Sequence, residues 1–229
     1  WASSRTEAWA VGHNGIVRWD GSTWTPAALG ERPHPLQDIG GTAPDDVWTV
    51  GEAGQILHWD GADWRPVVSG TDRGLLAVCA LAPTDAWAAG VDGAVLRWDG
   101  SAWRPVPSGT RTPVRALACP ATDDVWAAGT EGMLLHWDGA GWTRLPTGTW
   151  SGLGNLIAFR SDDVWAAAYD GLLLHWDGRQ WRDAGAGIRE GISGFWGPAP
   201  DDLWAVGENG AALHFDGTSW TRTAGGMTG

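Results

Sequence analysis

Hydrophobic and polar positions alternate along the chain in short blocks that recur six times. In the third repeat, four apolar runs cover residues 75–81, 86–89, 94–98 and 102–106, and Gly, Pro and Asp separate them. Apolar runs of about four to eight residues between turn residues are typical of β-strands. No segment keeps the roughly 3.6-residue period of an amphipathic helix. The pattern therefore predicts four strands in each repeat and no helix.

Aromatic residues mark the same three places in every repeat and set its length at 39 residues. The lead Trp lies in the second predicted strand, at Trp9, Trp48, Trp87, Trp126, Trp165 and Trp204. The second aromatic ends the third strand, at Trp19, Trp59, Trp98, Trp137, Trp176 and Phe215. The third Trp follows an Asp-Gly pair, at Trp24, Trp64, Trp103, Trp142, Trp181 and Trp220. Self-similarity at one fixed period is a signature of repeat architectures.

Two kinds of turn signal separate the strands. Asn-Gly or Asp-Gly pairs at 14–15, 92–93, 170–171 and 209–210 predict tight second-to-third hairpins, because Gly adopts positive φ without strain. Another Asp-Gly pair stands between the second aromatic and the third Trp of every repeat, and it predicts the third-to-fourth hairpin. Connections this short require neighbouring strands to run antiparallel.

Four antiparallel strands repeated six times predict an all-β fold, a six-bladed β-propeller with four strands per blade. Each blade buries its apolar faces against its neighbours, and closing the ring leaves no blade uncovered. We expect residues 1–229 to form a single propeller domain. Since six units of 39 residues exceed the 229 present, the inner strand of blade one is expected to be incomplete at the chain ends. Either the tail at 223–229 partly fills that place, or a longer parent chain supplies the strand or further blades.

The charge of the chain limits its partners. The net charge of −12 repels phosphate backbones, so we expect no nucleic-acid partner. No apolar run approaches the roughly 18–20 residues of a membrane span. The chain starts at Trp1 rather than Met, which is consistent with a removed leader or with trimming. We expect a secreted bacterial protein in an extracellular or periplasmic location, with a cytoplasmic one as the alternative.

Two cysteines, Cys79 and Cys119, lie in neighbouring repeats one residue out of register. We expect two small buried hydrophobic side chains there. A disulfide bridge is the alternative.

A polar residue precedes the second aromatic in every repeat, and we assign it to the scaffold rather than to catalysis. It is His58, His136, His175 or His214 in four repeats and Arg18 or Arg97 in two. The expected carboxylate partners are Asp46, Asp124, Asp163, Asp202, Glu7 and Asp85. Ala precedes the lead Trp in the two Arg repeats and Val or Leu in the His repeats, so we expect these positions to share a sheet face.

The segment DDLWAVGENG at 201–210, followed by LHFDGTSW at 213–220, resembles two kinds of propeller repeat. One is the Asp-box (BNR-type) repeat, especially that of photosystem II assembly-factor-like proteins. The other is the tectonin-type repeat of six-bladed lectins. The resemblance covers all six repeats and implies the propeller architecture, with glycan binding or protein assembly as the associated functions.

One edge of the predicted blades varies between repeats, and we call it the variable edge. It comprises the second-to-third turns and the connections from each fourth strand to the next repeat. Its candidate ligand-binding residues are Glu52, Asp92, Glu131, Tyr169, Asp170 and Glu208 in the turns, and Arg32, Arg73, Arg111, Trp150, Arg189 and Glu190 in the connections. Trp150 breaks the repeat pattern, and Tyr169 is the single Tyr, so we expect an aromatic pair surrounded by Arg and carboxylate groups.

These features predict a non-catalytic binding propeller with lectin-like glycan recognition on the variable edge and no cofactor. The alternative is a protein–protein interaction or assembly module, whose patch would centre on Trp150, Tyr169, Arg111 and Arg189. The chain lacks a nucleophile elbow, a His-Glu-x-x-His motif and a phosphate loop. A minor alternative is a Ca²⁺-dependent, lactonase-like hydrolase using polar residues of the inner strands, namely Gln37, Asp38, Asn155 and Ser193.

Overall fold

The computed structural model describes residues 1–30 and 33–223, and it contains six four-stranded antiparallel sheets. The fold is all-β, a six-bladed β-propeller with four antiparallel strands per blade, as the repeat predicts. The chain divides into two compact units, Trp1–Leu117 and Ala118–Gly229. Helical structure in the described residues is limited to single 3-10 turns at Glu52–Gly54, Val91–Gly93 and Glu208–Gly210. No helix in this part of the chain has the length and apolar character to cross a membrane.

The first compact unit holds three complete sheets, in which consecutive strands are neighbours. The first sheet contains β1 (Ala2–Ser4), β2 (Glu7–Gly12), β3 (Gly15–Trp19) and β4 (Trp24–Pro26). The second contains β5 (Leu36–Ala43), β6 (Asp46–Gly51), β7 (Ile56–Trp59) and β8 (Trp64–Pro66). The third contains β9 (Leu75–Ala82), β10 (Asp85–Gly90), β11 (Val95–Trp98) and β12 (Trp103–Pro105).

The division between the units falls within β13 (Val114–Ala121), which is followed by β14 (Asp124–Gly129), β15 (Leu134–Trp137) and β16 (Trp142–Arg144). The fifth sheet contains β17 (Leu153–Arg160), β18 (Asp163–Ala168), β19 (Leu173–Trp176) and β20 (Trp181–Asp183). The sixth contains β21 (Ile192–Ala199), β22 (Asp202–Gly207), β23 (Ala212–Phe215) and β24 (Trp220–Arg222).

The first strand of the first sheet differs from its equivalents. β1 has 3 residues, whereas β5, β9 and β17 each have 8. Residues 224–229 lie outside the described part of the chain, so the idea that the tail fills this place stays a prediction. The same holds for the prediction of a single domain.

Apolar side chains of neighbouring sheets form the core. In the first unit, the lead Trp48 and Ile56 of the second sheet pack with Leu75, Val78 and Trp103 of the third. The Trp48 ring lies 5.1 Å from that of Trp98 and 5.3 Å from that of Trp103, the latter edge-on. Every residue of β10 is buried. Five lead Trp side chains are buried, and Trp204 is the exception.

The Asp-Gly pair builds the third-to-fourth turn as predicted. In the first repeat, Asp20 Oδ1 accepts hydrogen bonds of 2.8 Å from the backbone N–H groups of both Ser22 and Thr23. Gly21 supplies the positive φ of 95° that the turn needs. The N–H of Thr23, with the contacts of Ser22, lowers the pKa of Asp20 to about 2. The turn therefore keeps an ionised acceptor at any ordinary pH.

The predicted pairing of His or Arg with a carboxylate is confirmed in all six repeats. The Nε2–Oδ1 distance is 2.7 Å for His58–Asp46 and 2.8 Å for His175–Asp163. Arg97 donates to both carboxylate oxygens of Asp85, at 2.9 and 3.0 Å. The remaining pairs are His136–Asp124, His214–Asp202 and Arg18–Glu7. Each pair joins the second and third strands of its sheet.

The expected match between Arg and a small neighbour is wrong. In the observed register, His58 lies opposite the lead Trp48, while Val47 lies opposite Trp59. Val47 therefore points to the other sheet face. The His58 ring stacks on Trp48 with centroids 4.0 Å apart, and the Arg97 guanidinium lies 5.0 Å from the Trp87 ring centroid.

The cysteines also differ from expectation. Neither Cys79 nor Cys119 is a free thiol, and both side chains are half-buried rather than fully buried. The expectation of two small buried hydrophobic side chains is therefore wrong.

Candidate functional site

Four of the six second-to-third turns of the variable edge share one backbone conformation. A non-glycine residue adopts positive φ, followed by a Gly that does the same: φ is 55° at Asp92 and 68° at Gly93. The equivalent residues Ala53, Glu131 and Asn209 have φ between 54° and 60°. A Cβ at Gly93 would overlap the carbonyl oxygen of Thr110, so only Gly fits there. The backbone of this turn is fixed, and the side chain before Gly is free to vary.

Hydroxyl groups attach these turns to the neighbouring connection. Ser108 Oγ donates a 2.7 Å hydrogen bond to the carbonyl oxygen of Gly93, and Thr147 Oγ1 donates one of 2.9 Å to that of Gly132. The sequence signal for this attachment is Ser/Thr-Gly-Thr at 69–71, 108–110 and 147–149, which the sequence analysis did not single out. The loops of the third and fourth repeats are thus preorganised.

In the first unit, three of the predicted residues line one cavity of about 840 Å³: Arg73, Asp92 and Arg111. Pro107 and Thr110 lie beside them. Arg73 Nε stands 3.7 Å from Asp92 Oδ2, and both side chains are exposed. The cavity therefore presents two guanidinium groups and one carboxylate over an apolar floor that includes Leu96.

In the second unit, Trp150 and Glu131 line one pocket of about 280 Å³ together with Arg144 and Pro146. The Trp150 side chain is 85% exposed, the largest such fraction among the aromatic residues of the described chain. The N–H of Ser151 donates to Thr149 Oγ1 at 2.9 Å and fixes the backbone on either side of the ring. Trp150 and Glu131 were predicted from the sequence, whereas Arg144 and Pro146 were not.

Tyr169 has a different setting from Trp150. Its N–H donates a 3.0 Å hydrogen bond to the carbonyl oxygen of Gly152, and its ring covers the start of β17. A Cβ at Gly154 would lie 2.6 Å from Tyr169 Cε1, so the ring occupies the space that a side chain would fill. Among the described residues, no ring contact joins Tyr169 and Trp150. The expected aromatic pair is not formed.

The other predicted residues hold the edge in place or lie exposed on it. Glu190 Oε1 lies 2.8 Å from Arg222 Nη2. Its own N–H and that of Arg189 lower the pKa of Glu190. Asp170 Oδ1 accepts the N–H of Leu172. Glu52 and Arg189 are exposed. The carboxylate of Glu208 lies near Gly191. Arg32 lies outside the described residues.

The polar residues predicted on the inner strands lie in different settings. In residues 1–30 and 33–223, no three His, Cys, Asp or Glu side chains come together in a way that would hold a metal ion. Asp38 accepts 2.8 Å hydrogen bonds from the N–H groups of Ile39 and Val78, and the bond from Val78 links β5 to β9. Burial raises the pKa of Asp38 to about 6. Gln37 is exposed, Asn155 is half-buried, and Ser193 donates to the carbonyl oxygen of Val206.

Comparison with known proteins identifies the fold. No protein-family model matches the sequence, and no curated protein matches it. The structure titled "YCF48 bound to D1 peptide" shares 21% identity at a TM-score of 0.76, covering 96% of this chain and 78% of that one. YCF48 from Cyanidioschyzon merolae shares 17% identity at a TM-score of 0.74, covering 97% and 83%. The RRP9 WD40 repeats share 11% identity at a TM-score of 0.78, covering 96% and 76%.

At these identities the likeness establishes the propeller fold and nothing finer. It gives no specific support to the Asp-box or tectonin resemblance. The functional argument therefore depends on the residues of the variable edge.

Proposed function

We propose that this chain is a non-catalytic binding propeller that captures an extended peptide segment of a protein partner at Trp150. The observation that carries the proposal is the 85% exposure of Trp150 on a hydrogen-bonded loop beside Glu131 and Arg144. An exposed aromatic ring carries an unfavourable hydration free energy that contact with a partner removes. Trp and Arg are also the residues that most often dominate the binding energy of protein interfaces.

Preorganisation supports the same conclusion. The connection that carries Trp150 is attached to the Glu131 turn by the hydrogen bond from Thr147 to Gly132. A loop that is already ordered loses little conformational entropy on binding. Arg144 and Glu131 supply one positive and one negative group within the same pocket. A peptide with an apolar side chain next to a charged one matches this arrangement.

The asymmetry of the edge favours a peptide over a sugar. The positions equivalent to Trp150 in three other repeats are Asp72, Arg111 and Arg189. A lectin with one site per repeat would need an aromatic ring at several of them. YCF48, which has the same fold, has a solved structure with the D1 peptide bound. Glycan binding by stacking on Trp150, with hydrogen bonds to Glu131 and Arg144, is the second candidate.

Selection from a phage-displayed library of random peptides tests the proposal. We expect the wild-type chain to enrich peptides with a shared pattern, and Trp150→Ala to weaken their binding at least about tenfold. Val68→Ala is the matched control, since Val68 is an exposed apolar residue on the corresponding connection of the second repeat. A glycan array runs in parallel. A sugar signal that depends on Trp150, with no enriched peptide, would reject the peptide proposal in favour of the second candidate.

A further inference from the structure

The fourth strand of each sheet lies at one end of the sheet, where it pairs only with the third strand. In the fourth sheet this edge strand is β16, and its residues Thr143 and Arg144 are exposed. An edge strand presents backbone N–H and C=O groups that a further strand can pair with. What an edge can bind therefore depends on which of its groups face outward.

The register of β16 shows which of its backbone groups face outward. The N–H of Leu145 donates a 3.0 Å hydrogen bond to the carbonyl oxygen of Leu134, in β15. Arg144, one position earlier, lies opposite Leu135. Opposed residues of an antiparallel pair alternate between exchanging hydrogen bonds and directing their N–H and C=O groups away from each other. The N–H and C=O of Arg144 therefore point away from β15.

Proline closes this position in the first three sheets. The register there is the same, since the N–H of Val67 donates a 3.0 Å hydrogen bond to the carbonyl oxygen of Ile56. The residues equivalent to Arg144 are the last of their fourth strands, namely Pro26, Pro66 and Pro105. Proline has no N–H, and at a sheet edge it prevents the addition of a further strand. The fourth sheet thus offers a backbone donor that the first three lack.

The outward N–H of the fourth sheet lies next to an exposed aromatic ring. Arg144 and Trp150 line the same pocket, together with Glu131. The fifth sheet has Asp183 at the position equivalent to Arg144, but the connection after it, residues 184–191, carries no aromatic residue. A chain segment that leaves the Trp150 pocket past Arg144 runs directly onto the edge of β16.

We propose that the peptide captured at Trp150 adds to the fourth sheet as a fifth strand, alongside β16. This inference rests on the proposed function and specifies how the peptide is held. Backbone groups of the peptide pair with the outward N–H and C=O of Arg144, while an apolar side chain contacts Trp150. In strand addition, main-chain hydrogen bonds supply affinity, and pockets for side chains supply specificity.

The size of the edge favours a peptide over a second folded copy of the chain. β16 has 3 residues, so only Trp142 and Arg144 direct backbone groups outward. The pocket beside it has a volume of about 280 Å³, which suits a side chain rather than a folded surface. A specific contact between two folded proteins buries roughly 1,000 Å² or more.

Selection from the same phage-displayed library, with matched variants, tests the pairing. Arg144→Ala removes the side chain and keeps the N–H, whereas Arg144→Pro removes both. We expect the peptides enriched on the wild type to bind Arg144→Pro at least about fivefold more weakly than Arg144→Ala, the effect of one lost hydrogen bond. Asp183→Pro makes the same backbone change at an edge without Trp150 beside it, so its binding should equal that of the wild type. Melting curves check that each variant is folded.

An enriched peptide resynthesised with one backbone N-methyl group at a time gives a second measurement. N-methylation removes a backbone donor and leaves the side chain in place. Successive N–H groups of a strand point to opposite sides, so we expect the loss of binding to alternate along the peptide with a period of two residues. A peptide held by its side chains alone gives no such alternation.

Several outcomes would overturn the inference, and they separate it from the proposed function. Equal binding by Arg144→Pro and Arg144→Ala, with binding still lost in Trp150→Ala, would reject strand addition and leave capture at Trp150 standing. Losses that do not alternate along the N-methylated peptide would do the same. If light scattering shows self-association of the wild type that Arg144→Pro abolishes, a second copy occupies the edge. If the wild type enriches no peptide, both proposals fail.

Discussion

Trp126 and Trp150 are the same side chain in opposite settings within one compact unit. Trp126 is buried against Trp176, Trp181 and the ring of His136. Trp150 stands on a connection and is almost fully exposed. The difference follows their positions in the 39-residue pattern: Trp126 falls on it and Trp150 does not. The Trp that keeps the repeat packs in the core, and the Trp that breaks it is exposed.

The largest expected effect is at Trp126. Trp126→Ala should lower the free energy of unfolding by about 3–5 kcal/mol, because it removes a buried ring and leaves a cavity between two sheets. Urea titration followed by circular dichroism measures the change. A loss below about 1 kcal/mol would show that the burial of Trp126 does not support the fold.

Two aspartates differ in the same way, since Asp38 is buried and Asp20 is exposed. The pKa of Asp20 is about 2. The pKa of Asp38 is about 6 in the fold against an ordinary 3.8, so ionisation opposes folding. Stability should therefore fall as pH rises from about 4 to about 6, by at most about 3 kcal/mol. Asp38→Asn should flatten this part of the curve of unfolding free energy against pH. The same slope in both proteins would refute the assignment.

A smaller loss is expected from the scaffold pair of the fifth sheet. Asp163 Oδ1 accepts from Trp165 Nε1 and lies 2.8 Å from His175 Nε2. Asp163→Ala leaves the buried indole N–H without its acceptor and should cost roughly 1–3 kcal/mol of unfolding free energy. A double-mutant cycle with His175→Ala isolates the His–Asp coupling. A coupling energy of zero would contradict the structural role of the pair.

The smallest effect on stability is expected at Trp150. Trp150→Ala should change the free energy of unfolding by no more than about 0.5 kcal/mol, because its ring packs against little of the protein. Thermal melting of both proteins measures this. A loss comparable to that of Trp126→Ala would place Trp150 in the scaffold and remove the basis of the comparison.

The fold was predictable because one pattern was repeated six times. The strand limits expected in the third repeat agree with β9 to β12 to within about one residue. The pairing of each His or Arg with a carboxylate was predictable too, because it recurs at one spacing. The face shared by His58 and Trp48 was not, because strand register depends on turn geometry as well as on pattern.

The candidate site was predictable only in part. Trp150 stood out because it interrupts the repeat. Its neighbours Arg144 and Pro146 lie at positions that differ between repeats, and only the folded connection brings them beside Trp150. Tyr169 was expected beside Trp150, but Gly152 and Gly154 leave a space on β17 that its ring fills. The space beside these two glycines exists only in the folded structure, so the spacing of residues along the sequence does not reveal it.

The recurring turn at Glu52–Gly54 has a consequence for how new specificities can arise. In four repeats, a 2.9 Å backbone hydrogen bond from the preceding Gly closes this turn. In the second repeat, the N–H of Gly51 donates it to the carbonyl oxygen of Gln55. The side chains between the two hydrogen-bonded residues differ from repeat to repeat, while the closing hydrogen bond is the same. Such segments are interchangeable inserts: recombination between repeats, in nature or in a combinatorial library, can shuffle surface chemistry without disturbing the sheets that carry it.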